Sequence, residues 1–394
     1  MAVYCIFFRN FAPMKHFWTL LLAAMLLTSC KHHDPEDEPT LRRVVVVYMV
    51  AENSLSSPFA SSDLDEMRRG TASIPDDCQL VVYYDNASSQ MPQILTFDSK
   101  QGEQVLYQYR NDPVSTDSAA MQQALTIIRQ KCPAQTYGLV MWSHASGWIP
   151  AQPRKTFGID NGRNTTSNDG GEMEISTLAN VLQKSGMTWD YVFFDACFMQ
   201  CVEVAYELRH ATAWCIGSPA EIPGNGAPYT VIMADLFRPA DEVWHIAEDY
   251  YKEYINDTGV VLSVVKTSEM EALAEATAPL LTTLPQYPTT SDVQRYNPAN
   301  LAWKPAYYDM GSAMAKWQTE ADYQTWRQAL ERAVPYRFAT DYWLSTMTGR
   351  STYPEVTDPE HIAALSMYIP VAGHAMNEYY MQTAWWKRMR KVES

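Results

Sequence analysis

The stretch Val44-Val45-Val46-Val47-Tyr48-Met49-Val50 offers no polar position to water. A strand with one solvated face alternates. A strand without alternation is covered on both faces, as inside a parallel sheet flanked by helices. Similar runs recur at 79–85, 137–142, 189–195 and 213–217. Helical spacing separates them at 61–69, 117–132 and 175–184. Strands that alternate with helices to about residue 270 predict an α/β fold with a mainly parallel sheet. Residues 94–97 and 103–109 alternate and read as an antiparallel edge pair. Two further strands are expected at 259–266 and 363–370, with a helical, Trp- and Tyr-rich stretch between them. Residues 196–208 read as one helix leaving the strand at 189–195. Residues 150–174 are polar and glycine-rich and read as a surface loop.

Charge narrows the partners. The chain of 394 residues carries 30 basic and 45 acidic side chains, net −15. That excess argues against nucleic acid as a partner. It contains no uninterrupted apolar run of spanning length. Seven cysteines in a chain this long do not make a disulfide scaffold.

The amino terminus reads as an address. Met14-Lys15-His16 precedes a short apolar run from Phe17 to Leu27, then Thr28-Ser29-Cys30. A positive start, a short apolar stretch and small residues are the pattern of an export signal. Leu27-Thr28-Ser29-Cys30 resembles a bacterial lipobox, which makes Cys30 the lipidated first residue of the mature chain and Met14 the true start. The division expected is a signal peptide at 1–29, a lipidated tether at 30–41, an α/β core at 42–270 and a packed C-terminal region at 271–394. The corresponding location is that of an exported bacterial lipoprotein, facing the periplasm or displayed on the outer membrane, with the membrane touched through the lipid alone.

Two of the buried runs end in reactive side chains. His144 follows Trp142-Ser143, and Cys197 follows Asp195-Ala196. Sites in parallel sheets form at the carboxyl ends of strands, so both side chains are expected on one rim. A histidine within reach of a thiol can take its proton and later protonate a leaving amine. The backbone N–H groups of Ala145 and Cys197 are candidates for an oxyanion hole. A helix beginning at Cys197 would favour the thiolate. Asp195 has two readings, a cap for that helix or a carboxylate turned into a pocket that selects a basic side chain. Glu221 lies in the loop after the 213–217 strand and is a candidate for the pocket rim. No set of residues is assigned to a metal.

Val140-Met141-Trp142-Ser143-His144-Ala145-Ser146-Gly147-Trp148 and Phe193-Phe194-Asp195-Ala196-Cys197 resemble the His and Cys segments of clostripain-type cysteine peptidases. Ser218-Pro219-Ala220-Glu221-Ile222-Pro223-Gly224 is similar to the loop bordering the family's specificity pocket. His144 and Cys197 stand 53 residues apart, close to the spacing of roughly 50 in the related caspases. The resemblance implies a caspase-like fold in a lipoprotein member of the family. It implies a Cys197–His144 dyad, with Asp195 in the pocket that holds Arg or Lys before the cut bond. It also implies peptide or protein substrates with basic residues. No cofactor is required for the chemistry. Some members respond to calcium, and the sequence holds no EF-hand loop. Some members mature by cleavage between the two segments, where Arg154, Lys155 and Arg163 offer sites. One position departs from the family pattern: Ala145 stands where Gly is common. That departure keeps a second expectation in view, a catalytically silent surface lipoprotein that binds peptide or glycan.

Overall fold

The computed structural model describes residues 41–87, 91–149, 156–162, 170–297 and 306–390. Cys30, Arg154, Lys155 and Arg163 lie outside the described residues, as do the signal peptide and nearly all of the tether.

The strands, in chain order, are β1 (Leu41–Ala51), β2 (Cys78–Asn86), β3 (Gln93–Asp98), β4 (Gly102–Gln108), β5 (Ala134–Trp142), β6 (Phe157–Asp160), β7 (Gly171–Met173), β8 (Trp189–Asp195), β9 (Trp214–Gly217), β10 (Val261–Lys266), β11 (Tyr308–Asp309), β12 (Tyr336–Ala339) and β13 (Ser366–Met367). Nine of them form one sheet in the order β12-β10-β9-β8-β5-β1-β2-β3-β4. The five central strands, β9 to β2, are parallel. Antiparallel strands close both edges. This is the mainly parallel α/β sheet that the β-branched runs predict, in the caspase-like form that the resemblance implies.

β1 shows why the run carries no polar residue. Val44, Val46, Tyr48 and Val50 belong to the core on one face, and Val45, Val47, Met49 and Ala51 to the core on the other. The first core packs under helices Ser118–Lys131, Ile175–Lys184 and Met270–Thr282, the second under Ser61–Gly70 and Trp244–Tyr254. The Trp385-Trp386 segment lies in a closing helix, Ala384–Arg390, with Trp385 wholly buried.

Three expectations change. The helix after β8 spans only Val202–Glu207, and residues 196–201 form a tight turn instead. Backbone bonds from Phe198 N to Ala220 O (2.9 Å) and from Gln200 N to Ser218 O (3.0 Å) hold that turn to the neighbouring loop. They take the donors a helix would have used, so non-local pairing overrides local propensity. The strand expected at 363–370 shrinks to β13, which pairs with β11 and stays out of the main sheet. The polar stretch at 150–174 is not all surface loop: β6 is buried, pairs with β7 and bridges the His144 segment.

Candidate active site

The chain order places the site. After β1 the chain builds outward through β2, β3 and β4, then returns to the other side of β1 with β5. The reversal lies between β1 and β5, and a crevice opens beyond the carboxyl ends of strands at such a point. Register then fixes the pair. β5 and β8 are parallel neighbours with Trp142 opposite Asp195. Two residues further along each strand stand His144 and Cys197. Both line one cleft of about 470 Å³, with Leu55, Asp195, Glu221 and Leu344 among its walls.

Each half of the pair has its own support. Ser54, just past the end of β1, meets His144 Nε2 at 2.9 Å. The loop carrying Ser54 is tied by Asn53, which donates to Ile159 O (2.8 Å) and accepts from Leu55 N (2.9 Å). Behind His144, Gly158 N donates to its carbonyl and Ser146 N donates to Thr156 O. These bonds flank Ala145 and leave its amide outside the ladder. Ala145 is not in the left-handed region, so alanine at this position is unstrained and the departure from glycine leaves the backbone in ordinary territory.

The Cys197 turn is strained and braced. Phe198 has φ +63°, an unfavourable angle for a bulky residue that neighbouring contacts must hold. Its ring stacks on Tyr307 at 4.4 Å between centroids. Tyr307 also donates its hydroxyl to Ser146 O at 2.9 Å. One side chain thus ties the His segment to the Cys turn. Gly147 completes the contact: a Cβ there would lie 2.9 Å from Phe198 O, and its φ is +68°.

Among the five described cysteines, only Cys197 is not buried. Burial pushes the Cys78 and Cys132 thiols up to about 11 and Cys215 to about 12, and raises Cys201 well above its ordinary value. These four are thiols, not thiolates, at neutral pH.

Asp195 does not cap a helix. The residue preceding Val202–Glu207 is Cys201. The Asp195 carboxylate accepts from Ala227 N (2.9 Å) and the Tyr229 hydroxyl (2.8 Å). Asp63, on helix Ser61–Gly70, joins it from the far side. Its Oδ2 accepts from Trp142 Nε1 at 2.6 Å. A Cβ at Gly226 would stand 2.9 and 3.1 Å from the Asp195 oxygens and 3.2 Å from Asp63 Oδ2. The two carboxylates therefore lie within about 6 Å of each other, close enough for each charge to oppose the other. Burial pushes both above the ordinary carboxylate range. Asp195 adds to the rise of Asp63, while the Ala227 and Tyr229 donors restrain that of Asp195.

Glu221 lines the cleft, but its oxygens are engaged. They accept from the Ser345 hydroxyl and from Thr346 N and Oγ1 at 3.1–3.2 Å. It holds the C-terminal region against the cleft wall.

The sequence reading missed Ser54, Tyr307 and Asp63. Ser54 follows the carboxyl end of a buried strand, the same signal that picked out His144 and Cys197. Asp63 reads locally as a helix-start charge and Tyr307 as core; only packing brings them to the site. Three more carboxylates gather beside it: Glu52, Asp85 and Asp112 each present an oxygen within 4.8 Å of the others.

The family model described as the clostripain family matches residues 47–386. The chain belongs to the clostripain family. It is a cysteine peptidase. A secreted C11 cysteine protease from Bacteroides thetaiotaomicron, solved with an irreversible peptide inhibitor, is 31% identical over 89% of this chain and 99% of that one, with a TM-score of 0.77. An inactive zymogen of a C11 protease from Parabacteroides distasonis is 27% identical over the same shares, also with a TM-score of 0.77. No curated protein matches.

Proposed function

We propose that this clostripain-family chain is an endopeptidase that cuts after Arg or Lys through a Cys197–His144 dyad. The observation that carries the reading is the buried acidic pair at the foot of the cleft that holds His144 and Cys197: Asp195 lines the cleft and Asp63 stands behind it, within about 6 Å. A lone buried carboxylate is costly, and two together more so, unless a cation joins them. A guanidinium or ammonium group entering beside Gly226 supplies that cation.

The chemistry follows from the placement. His144 takes the Cys197 proton, and the sulfur attacks the carbonyl carbon of the substrate. With Nε2 held by Ser54, the exchange runs through Nδ1. The Ala145 and Cys197 N–H groups receive the developing oxyanion. The tetrahedral species collapses, His144 protonates the departing amine, and a thioester remains on Cys197. A water gives its proton to His144, attacks the thioester and releases the acid, returning the thiol. Glu221 shapes the wall without touching substrate.

Export and maturation complete the reading. One relative is described as secreted and another as a zymogen. The first description supports export and the second activation by cleavage; the lipid on Cys30 and cuts after Arg154, Lys155 or Arg163 are proposed from the sequence alone. Metabolic labelling with palmitate, lost in Cys30→Ala, checks the anchor.

The test is a fluorogenic panel with Arg, Lys, Asp or Leu before the reporter, run on the trypsin-nicked protein beside Cys197→Ala. Turnover of the Arg and Lys reporters that vanishes in the variant supports the reading. Turnover of Leu or Asp reporters alone retains the nucleophile and removes the acidic pair as selector. Silence from the folded, nicked protein overturns the reading in favour of a binding lipoprotein.

A further inference from the structure

A second cavity, of about 350 Å³, shares no lining residue with the catalytic cleft. That volume suits a small molecule. Its walls carry three carboxylates, Glu174, Glu203 and Glu207, and two aromatic rings, Trp148 and Tyr379. Glu203 and Glu207 stand one turn apart on helix Val202–Glu207, so they share a face. Glu174 comes from the start of helix Ile175–Lys184. Glu203 is 2% exposed. Its Oε1 accepts from Tyr368 N at 2.9 Å. Its other oxygen, Oε2, is buried with no hydrogen-bond partner. Burial pushes this carboxyl up to about 7, and the Tyr368 amide and Cys201 thiol restrain the rise. Burial raises Glu207 as well, with Arg209 and Lys387 restraining it. Lys387, the one basic side chain on the described wall, is exposed. A buried carboxylate oxygen without a donor is what a protein avoids unless a group from elsewhere completes it.

We propose that this cavity binds a linear polyamine, with one ammonium group against Glu203 and the methylene chain along Trp148 and Tyr379. The donor set decides the class. A metal's ligands converge on one point. Among the described residues, the one acidic group that converges within 4.8 Å lies elsewhere, and Glu174, Glu203 and Glu207 are spread around their cavity. Spread charges suit an extended cation whose ammonium groups each offer three donors. Aromatic faces attract such groups and cover the methylenes between them. Trp148 is held ready, its ring packed on Tyr368 and Tyr380 at 5.2 and 5.3 Å between centroids. The cavity also reaches the active site along the chain. Trp148 follows His144 by four residues, and Glu203 follows Cys197 by six. Thr156, on the same wall, accepts the Ser146 amide at 3.1 Å. An occupant therefore steadies both segments. Binding stands independently of peptidase activity; its consequence for His144 and Cys197 rests on the dyad proposed above.

The test is equilibrium dialysis of labelled spermidine against the purified chain carrying Cys197→Ala and Asp195→Asn. The first change removes turnover, and the second keeps a cation at the foot of the catalytic cleft out of the count. At about 0.15 M NaCl, where distant exposed charges are screened, spermidine is expected to saturate at one equivalent. Cadaverine competes, and pentane-1,5-diol, its uncharged counterpart, does not. Glu203→Gln keeps an acceptor for Tyr368 N, removes the charge and weakens binding at least about tenfold. Glu174→Gln, a half-buried change, weakens it roughly 2–5-fold. Asp241→Asn, at an exposed acid elsewhere, leaves it unchanged. Bound spermidine also slows hydrogen exchange at amides 146–149 and 201–204. Absent or unsaturable binding, equal binding by a folded Glu203→Gln, or competition by the diol overturns the site. Should Glu203→Gln not fold, equal binding by Glu174→Gln and the parent overturns it alone. Unchanged exchange at saturation overturns the link to the active site. No readout depends on whether Arg or Lys reporters are cut, so failure of the cleavage reading leaves this result standing.

Discussion

The rim and the foot of the cleft are built from opposite materials. The rim carries His144 and Cys197, both partly open to solvent, on turns at the ends of β5 and β8. The foot carries Asp63 and Asp195, 2% and 3% exposed, held by Trp142, Ala227 and Tyr229. Groups that must exchange protons with substrate and water need access. Groups that must discriminate a cation need a dry place where charge is felt strongly. On the proposed reading, reaction at the rim and selection at the foot are separable, and mutations should divide along that line.

The largest effect belongs to the rim. Cys197→Ala should lower kcat/KM at least about 10⁴-fold, measured on whichever reporter is cleaved best. Mass spectrometry after brief iodoacetamide treatment should find the label on Cys197 before the four buried thiols. Label on Cys201 or Cys215 at comparable rates would break the contrast. The next effect belongs to the foot. Asp195→Asn removes a charge that a bound cation would otherwise meet, so Arg reporters should lose ~10²–10³-fold in kcat/KM. The iodoacetamide rate at Cys197 should stay the same. If alkylation falls along with turnover, rim and foot are not separable.

A smaller effect sharpens the rim alone. Ser54→Ala deletes one hydrogen bond to His144. A bond of this kind contributes about 0.5–1.5 kcal/mol, so kcat should fall by roughly 2–12-fold with KM unchanged. A change in KM instead would place Ser54 in substrate binding.

Legibility in the sequence divides along the same line. The rim was readable because strand ends have local signatures: an apolar run, then His144; an apolar run, then Cys197. The five parallel strands were readable because burial on both faces leaves no alternation. The turn beyond Cys197 was not readable. Residues 196–208 have helical composition, yet the first half turns away to bond Ser218 and Ala220. The dipole argument for the thiolate thus loses its helix and must rest on His144. The foot was half legible. Asp195 stands two residues before Cys197 in sequence; Asp63 is far from both and sits where any helix would place an acid. Its partners Trp142 and Asp195 arrive only through packing, and no spacing rule encodes them. Tyr307 is hidden for the same reason.

The smallest effect tests the foot without any substrate. Burial raises the Asp63 carboxyl well above its ordinary value, and Asp195 nearby adds to the rise. Between the ordinary carboxylate range and that raised value, the folded chain holds a proton the unfolded chain has released. Stability then falls as pH rises through this window, because the slope follows the protons bound unfolded minus those bound folded, and here that difference is negative. Asp63→Asn keeps an oxygen for Trp142 Nε1 and abolishes the titration. The variant should therefore be more stable than the parent at pH 8 by ~1–2 kcal/mol, a shift of a few degrees in Tm, and nearly equal to it near pH 4. The same substitution should weaken turnover of Arg reporters, so stability and selection move in opposite directions at one residue. A parent whose Tm climbs from pH 5 to pH 8 as far as that of Asp63→Asn would mean that the pair is already neutralised in the free protein. The foot would then be a structural network, not a waiting cation site.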